Sequence, residues 1–136
     1  MTQNTAKHMV YHAQARDKDV MVHSSDGEAW IEFDKLYPNF AKEVRNVRIA
    51  LVTDGFTPFG YFAAPYSCWH VFVVPYNLPP EMCTRKDNII LALVIPGCEF
   101  PGKSFNVFLQ PLVDELLDLW NKGAKTIIVT KRKTSL

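Results

Sequence analysis

Asp54 is the residue whose type and position best suit chemistry. It follows the apolar run that includes Ile49 and Val52, within RNVRIALVTDGFTPFG at positions 45–60, and it directly precedes Gly55. A β-branched apolar run closed by Asp-Gly predicts a buried strand that runs into a turn. The carboxylate would then lie at the strand's carboxyl end, where burial requires a partner. Two interpretations stay open: Asp54 caps the turn through its own side chain, or it binds a metal ion.

Two further pairs of side chains have spacings that occur in functional sites. Cys68 and His70 are two residues apart on a predicted strand and therefore share a face. They are a candidate nucleophile and base, with a buried structural cysteine as the alternative. His8 and His12 would share one face of a short helix predicted over residues 7–16. That spacing occurs in metal sites, and surface histidines are the alternative.

Composition indicates one globular domain with an uneven charge distribution. The chain has 136 residues, of which 48% are hydrophobic and 21% charged, with a formal net charge of +1. Residues 119–136 contain no acid but carry five basic residues. Such a segment binds phosphate or is simply a solvated end. The candidate nucleic-acid-binding residues are Lys125, Lys131, Arg132 and Lys133.

The cysteines and the chain's first residues predict an intracellular protein. Cys68, Cys83 and Cys98 show no Cys-x-x-Cys spacing, so three free thiols in a reducing compartment are expected. No apolar run is long enough to span a membrane. The first ten residues lack a signal-peptide core, so we do not expect secretion.

Two helices are predicted around a group of strands. Ser25 and Glu28 match a capping box before the first helix, and Tyr37-Pro38 ends it. The second helix follows Ser104 and stops at Gly123. Each carries an apolar face of the kind that packs against a core. Those faces comprise Trp30, Phe33, Leu36 and Tyr37 in the first helix, and Val107, Leu109, Leu112, Val113, Leu116, Leu117 and Trp120 in the second.

The strand predictions lead to an α/β fold class. After the strand that ends near Asp54, strands are predicted over residues 69–75 and 88–95, and a short fourth strand over 125–130. Short gaps favour antiparallel pairing of the first three strands. Three antiparallel strands, a crossover helix and a short fourth strand match the opening half of a ribonuclease-H-like, integrase-type fold.

Four blocks of sequence resemble one family. Over roughly residues 11–123 the chain is similar to the Tnp2-like transposases of plant CACTA-type (En/Spm) DNA transposons. The blocks occur in the family's order: SSDGEAWIEFDKLYPNFAKEVRNVRIALVTDGFTPFG, YSCWHVFVVPYNLPPEMC, LALVIPG and PGKSFNVFLQPLVDELLDLWNKG.

The resemblance implies a DNA-cutting and DNA-joining enzyme of the nucleus. It implies a ribonuclease-H-like domain, here over residues 25–130 between a flanking segment (1–24) and a basic tail (131–136). Asp54 would be the first acidic ligand of Mg²⁺ or Mn²⁺, with DNA as substrate and self-association of the transposase. The family's second and third catalytic acids have no counterpart in these 136 residues. We therefore expect a fragment or remnant of a transposase without activity of its own. The alternative is a transposase-derived nucleic-acid-binding or regulatory module.

Overall fold

Three strands form an antiparallel sheet in the computed structural model of the chain, which describes residues 3–17, 19–57, 66–97 and 102–125. Strand β1 is Ile49–Phe56, β2 is Ser67–Pro75 and β3 is Ile90–Gly97. Their order in the sheet is β1-β2-β3, so β2 is the central strand. The α/β class and the three-stranded antiparallel sheet are therefore confirmed. Residues 126–130 of the predicted fourth strand lie outside the described residues.

The two helices predicted from the sequence are present. The α-helices are α1 (Gln3–Ala6), α2 (Glu28–Leu36), α3 (Pro38–Lys42), α4 (Pro80–Cys83) and α5 (Phe105–Lys122), with 3-10 helices at Tyr11–Ala13, Ser24–Asp26 and Gly102–Ser104. Helix α2 ends before Pro38, as predicted, and Pro38 then occupies the first position of α3, where its missing N–H costs nothing. Helix α5 ends at Gly123, whose φ of +69° suits a glycine.

The chain divides into two compact units. Of the described residues, the first unit contains those up to position 50 and residues 74–89. The second contains residues 51–57, 66–73, 90–97 and 102–125. Strands β1 and β2 each contribute residues to both units. The candidate site at Asp54 lies within the second unit.

In the second unit, α5 covers one face of β2 and β3. The ring of Phe105 meets Trp69 edge-on, with centroids 6.3 Å apart. Val71 and Ile95 are buried on this face, at 1% and 4% exposed. Val94, which faces the opposite side of β3, is exposed. The side chains of α5 therefore do not cover the other face of the sheet.

The first unit has a small apolar core fixed by one buried amide. Met9, Val74, Leu78 and Cys83 are buried together. Asn77 is fully buried beside them. Its Oδ1 accepts the Arg48 N–H at 2.6 Å, and its Nδ2 donates to the Asn46 carbonyl at 2.9 Å. Asn77 thus provides partners for two half-buried backbone groups near the start of β1.

Arg48 organises the aromatic side chains of α2 and α3. Its guanidinium lies 4.1 Å from the ring centroid of Trp30, 5.4 Å from Phe33 and 5.6 Å from Phe40, and it forms an ion pair with Asp34. Aromatic faces attract such a cation, and the attraction grows as water is excluded. This cluster ties the predicted apolar face of α2 to the residue that precedes β1.

A capping box is present, but it lies two residues earlier than predicted. His23 Nδ1 accepts the Ser25 N–H at 3.0 Å, and Asp26 Oδ2 accepts the His23 N–H at 2.9 Å. The box therefore caps the 3-10 helix Ser24–Asp26, while α2 begins after Gly27. The shift has a tertiary cause: His23 is buried, with its Nε2 3.0 Å from the Leu78 carbonyl oxygen.

The predicted helix over residues 7–16 is wrong. His8 lies in a turn and His12 in the 3-10 helix Tyr11–Ala13, so the two do not share a helical face. The Arg16 guanidinium reaches back to the carbonyl oxygens of Tyr11 and His12 and holds this segment in tight turns. His12 instead packs against Trp30. Burial and, second, the charge of Arg48 lower the pKa of His12, which favours its neutral form.

Arg16 also makes stability depend on pH through Asp26. Its Nη2 lies 2.8 Å from Asp26 Oδ1, and hydrogen bonds from Arg16, His23 and Val22 lower the pKa of this carboxyl from 3.8 to about 2. Because the pKa of Asp26 is lower in the folded state, its ionised form stabilises the folded state at pH values above the pKa of the unfolded state. This stabilisation is lost as pH falls through the pKa of the folded state. We expect the urea concentration at the midpoint of unfolding to decrease as pH is lowered from 4 to 2. The decrease should be smaller in Asp26→Asn. Asp118→Asn, in an exposed ion pair with Lys122, should retain the full fall.

Two other predictions concern membranes and thiols. Within the described ranges, no helix is both long and apolar enough to cross a membrane. Cys68 and Cys83 are free thiols, as predicted, and Cys98 lies outside the described residues. Burial raises the pKa of Cys83, whose Sγ donates to the carbonyl oxygens of Leu78 and Pro75. This cysteine is a structural core residue.

Candidate metal site on the sheet

Asp54 lies inside β1 rather than in a turn after it. The strand continues through Gly55 to Phe56. Asp54 is exposed, as are most residues of β1, so the prediction of a buried strand is wrong. Asp54 Oδ1 accepts the N–H of Gly55 at 2.8 Å. A turn-capping aspartate would instead accept the N–H two residues on, so this bond does not cap a turn.

Gly55 marks a close approach between two strands, not a turn. A Cβ atom at this position would lie 2.4 Å from Trp69 Cε2 and 2.6 Å from Trp69 Cζ2. The indole of Trp69 therefore lies directly against the backbone of Gly55. A glycine inside a strand often indicates such an approach. Only the structure distinguishes it from the glycine of an Asp-Gly turn, because the sequence signal is the same.

Two contacts link β1 to β2. The Tyr76 N–H donates to the Arg48 carbonyl at 2.8 Å. The indole of Trp69 lies against Gly55. Cys68, His70 and Phe72 alternate along β2 and therefore share one face of the sheet.

His70 is held in a stack of aromatic rings on that face. The Phe56 ring lies parallel to His70, with centroids 4.7 Å apart and planes 11° apart. Phe72 stacks at 5.7 Å and 23°. Cys68 lies on the same face, as predicted from its spacing, and its Sγ is 4.0 Å from His70 Nε2. That distance is at the outer limit for sulfur, so the structure does not present Cys68 and His70 as an activated nucleophile pair.

Asp54 stays a candidate metal ligand in the part of the chain that the structure describes. Its carboxylate is exposed and one oxygen is fixed by Gly55, which fits a first ligand for a hard cation. In the part of the chain that the structure describes, no three His, Cys, Asp or Glu side chains come together as a metal site. Asp114, Glu115 and Asp118 are exposed on α5 and do not join Asp54 in such a group.

The basic residues are only partly described. Lys125 is exposed just beyond α5. Lys131, Arg132 and Lys133 lie outside the described residues, so their prediction as nucleic-acid contacts stays a prediction. In the second unit, the stacking of Phe56 and Phe72 on His70 was not predicted. The sequence feature that could have indicated it is the alternation of Cys68, His70 and Phe72, which places all three on one face of β2.

A cavity of about 410 Å³ in the first unit involves a separate set of residues. Two of its charged side chains form ion pairs, although Arg48 Nη1 is buried without a hydrogen-bond partner among the described residues. Arg48 is paired with Asp34, and Lys35 Nζ is 2.6 Å from Glu32 Oε1. The lining residues are His12, Ala13, Ser25, Trp30, Ile31, Asp34, Lys35, Ala41, Val44 and Arg48. The cavity lies beside the aromatic side chain of Trp30 that packs on Arg48, and none of its lining residues belongs to the candidate site at Asp54.

Comparison with known proteins gives one family. No curated protein and no solved structure matches the chain. One family model, described as "Transposase family tnp2", matches residues 18–135 and so covers the described sheet and α5. The chain therefore belongs to the tnp2 transposase family.

Proposed function

We propose that the chain is part of the catalytic domain of a CACTA-type (En/Spm) plant transposase with a ribonuclease-H-like fold. Its substrate is DNA at transposon ends, and Asp54 is the first acidic metal ligand. The observation that carries the proposal is the position of Asp54, exposed on β1 in a sheet of order β1-β2-β3 that is followed by α5.

The order of elements supports the fold proposal. Three antiparallel strands followed by a long helix match the opening half of a ribonuclease-H-like domain. In that arrangement the first acid is carried by the first strand, which is where Asp54 lies. Membership of a transposase family supports DNA as the partner and the nucleus as the location.

The chain's own residues orient the carboxylate. The Gly55 N–H fixes Asp54 Oδ1, and exposure on an edge strand leaves the carboxylate accessible to an ion and to DNA. A bound Mg²⁺ or Mn²⁺ would supply activation of the attacking oxygen and stabilisation of the leaving oxygen. Asp54 would bind this ion, and the sheet would hold the carboxylate in a constant orientation.

We expect the 136-residue chain alone not to cut or join DNA. Two-metal phosphoryl chemistry needs several carboxylates around the ions. No metal-binding group of three His, Cys, Asp or Glu residues is present in the described ranges. Residues 119–136 of the sequence contain no acid. The chain therefore provides the first ligand without the other two.

Paired measurements of binding and activity test the proposal. Mn²⁺ is titrated into the ¹⁵N-labelled chain, and DNA cleavage and joining are assayed with Mg²⁺ or Mn²⁺. We expect paramagnetic broadening centred on β1, lost in Asp54→Asn and kept in Glu115→Gln, an exposed acid on α5. Neither the unaltered chain nor any variant should cut DNA or join DNA strands.

Each contrary outcome overturns a distinct part of the proposal. Broadening that survives in Asp54→Asn would overturn the role of Asp54 as a ligand. Strand transfer by the unaltered chain that disappears in Asp54→Asn would overturn the predicted inactivity. Salt-sensitive DNA binding without any metal effect would instead favour a nucleic-acid-binding module derived from such a transposase.

A further inference from the structure

We propose that His12 is a pH-sensitive latch in the first unit. Its neutral imidazole holds residues 10–14, here called the His12 segment, against Asn77 at the entry to β1, and its protonated form lets this segment open. The inference is independent of the proposed role of Asp54. It starts from the buried amide of Asn77, which determines where the imidazole can carry a proton.

The orientation of the Asn77 amide is determined by two backbone groups. The Arg48 N–H can only donate, so the Asn77 atom 2.6 Å from it is the oxygen Oδ1. The Asn46 carbonyl can only accept, so the atom 2.9 Å from it is the nitrogen Nδ2. Nδ2 also lies 3.4 Å from His12 Nδ1. Because Nδ2 is a donor, His12 Nδ1 must be the acceptor, and the proton of the neutral ring lies on Nε2.

Protonation of His12 removes this acceptor. Both ring nitrogens of an imidazolium carry hydrogens, so an N–H at Nδ1 would face an N–H of Asn77. Asn77 is 0% exposed, and its amide cannot turn over without losing its bonds to Arg48 and Asn46. The amide therefore stays in place, and the protonated ring has to move away from it.

A second conflict arises at the ring of Trp30. The His12 ring lies 5.3 Å from Trp30 between centroids, and the Arg48 guanidinium lies 4.1 Å from the same Trp30 ring. An imidazolium would bring a second positive charge beside the charge of Arg48. Like charges in a partly buried site disfavour the charged form. Charge and hydrogen bonding thus both oppose protonation of His12 in the closed segment.

The groups around the ring favour its neutral form on balance. Burial is the largest cause of the lowered pKa of His12, the charge of Arg48 is second, and His23 acts in the same direction. Backbone hydrogen bonding to Asn77 and Met9 acts in the opposite direction without reversing the shift. The pKa of His12 is therefore below its ordinary value of 6.5 in the folded chain.

Two more charged side chains line the same cavity as His12, and both have partners. Asp34 forms an ion pair with Arg48, and Lys35 Nζ lies 2.6 Å from Glu32 Oε1. The carboxylate of Asp34 thus compensates the charge of Arg48 rather than that of an imidazolium at position 12.

The direction of the pH effect follows from linkage. A histidine whose pKa is lowered by folding stabilises the closed state fully above the unfolded value of 6.5. That stabilisation is lost as pH falls from 6.5 through the folded value. Asp26 acts at lower pH, because its pKa falls from 3.8 to about 2. The two effects therefore occupy separate pH ranges.

Contacts on either side keep the opening local. Met9, on one side of the His12 segment, is buried in the core. Arg16, on the other side, forms an ion pair with Asp26. Proteins open in local units whose stability is below that of the whole domain. Protonation of His12 should therefore raise the frequency with which the His12 segment opens, without unfolding the first unit.

The test follows the full 136-residue chain by NMR as pH is lowered from about 7.5 to about 5, the range in which histidine titrates. The carbon-bound ring protons of His12 report its protonation. Hydrogen exchange, corrected for the intrinsic effect of pH, reports opening at the amides of Ala13 and Gln14, which donate to the Val10 and Tyr11 carbonyls.

Three variants separate the causes. His12→Asn places a neutral oxygen acceptor near the position of Nδ1 and cannot titrate in this range. His12→Phe retains a ring against Trp30 but has no acceptor for Asn77. His8→Asn is the control, because His8 lies in the preceding turn and keeps the latch intact. Circular dichroism establishes that each variant is folded.

In the unaltered chain and in His8→Asn, we expect His12 to titrate below 6.5 and the two amides to lose protection as it does. In His12→Asn their protection should not change with pH. In His12→Phe it should be reduced equally at every pH.

Three results would overturn the inference. The first is a His12 titration at or above 6.5 in the unaltered chain, a measurement that needs no variant. The second is protection at Ala13 and Gln14 that stays constant while His12 titrates. The third is a pH-dependent opening that persists in His12→Asn, because it would assign the effect to another group such as His23.

Discussion

Asn77→Ala is expected to lower the free energy of unfolding by about 2–4 kcal/mol, because it removes a fully buried amide that is the partner of two half-buried backbone groups. The Arg48 N–H loses its acceptor Oδ1, and the Asn46 carbonyl loses its donor Nδ2. Asn77 is 0% exposed, so water cannot easily replace those bonds. Most single domains have only about 5–15 kcal/mol of stability in total, so this is a large fraction. Urea unfolding followed by circular dichroism measures the loss.

Asn88→Ala is the matched control for this prediction. Its Nδ2 makes one bond to the Met82 carbonyl at 2.9 Å, and the side chain is only half-buried. The expected loss is about 0.5–1.5 kcal/mol. If Asn77→Ala cost no more than Asn88→Ala, the amide would not be what fixes the entry to β1.

Asn77→Asp separates the two bonds of the amide. A protonated acid can still accept from the Arg48 N–H and donate to the Asn46 carbonyl, whereas the ionised acid has no proton to donate. Its pKa in the folded state is therefore raised, and the variant's stability should fall as pH rises above about 4. This direction is opposite to the effect of Asp26. A variant whose stability increased from pH 4 to pH 7 would contradict this account of the Asn46 bond.

The sequence predicted those elements whose signals are local. Strands β2 and β3 and helix α5 were recovered within a few residues, because alternation, helical periodicity and the Gly123 stop act over short distances. The end of α2 at Pro38 was predicted for the same reason. Each of these signals involves neighbours within one or two turns.

The errors all involve partners distant in sequence. The capping box moved to His23 because its ring contacts Leu78, 55 residues away. The helix over residues 7–16 was replaced by turns that Arg16 holds while also pairing with Asp26. These contacts cannot be inferred from local propensity, which tertiary contacts routinely override.

The candidate site was predictable in its residue but not in its geometry. Asp54 was identified from the apolar run and the resemblance. Its exposure and its position inside β1 depend on how β1 packs against β2. Gly55 lies against the indole of Trp69, and nothing in the local sequence indicates that these two residues meet.

Gly55→Ala should therefore both destabilise the sheet and disturb the site. The added Cβ would lie 2.4 Å from Trp69 Cε2, and Trp69 cannot simply retreat because Phe105 of α5 packs against it. Forcing an extra carbon into such a contact costs about 1–3 kcal/mol. Urea unfolding should show a loss in this range. If β1 moves to relieve the clash, Asp54 moves with it, and the Mn²⁺-induced broadening proposed to centre on β1 should weaken as well.

A double-mutant cycle with Trp69→Phe tests whether the indole is the cause. The smaller ring lacks the fused atoms that a Cβ at position 55 would meet, so Gly55→Ala should cost less in that background. The coupling energy should be about 1 kcal/mol or more. Restored Mn²⁺-induced broadening at β1 in the double variant would show that the Trp69–Gly55 contact positions Asp54. Additive losses would instead mean that the register depends on other contacts along β1 and β2.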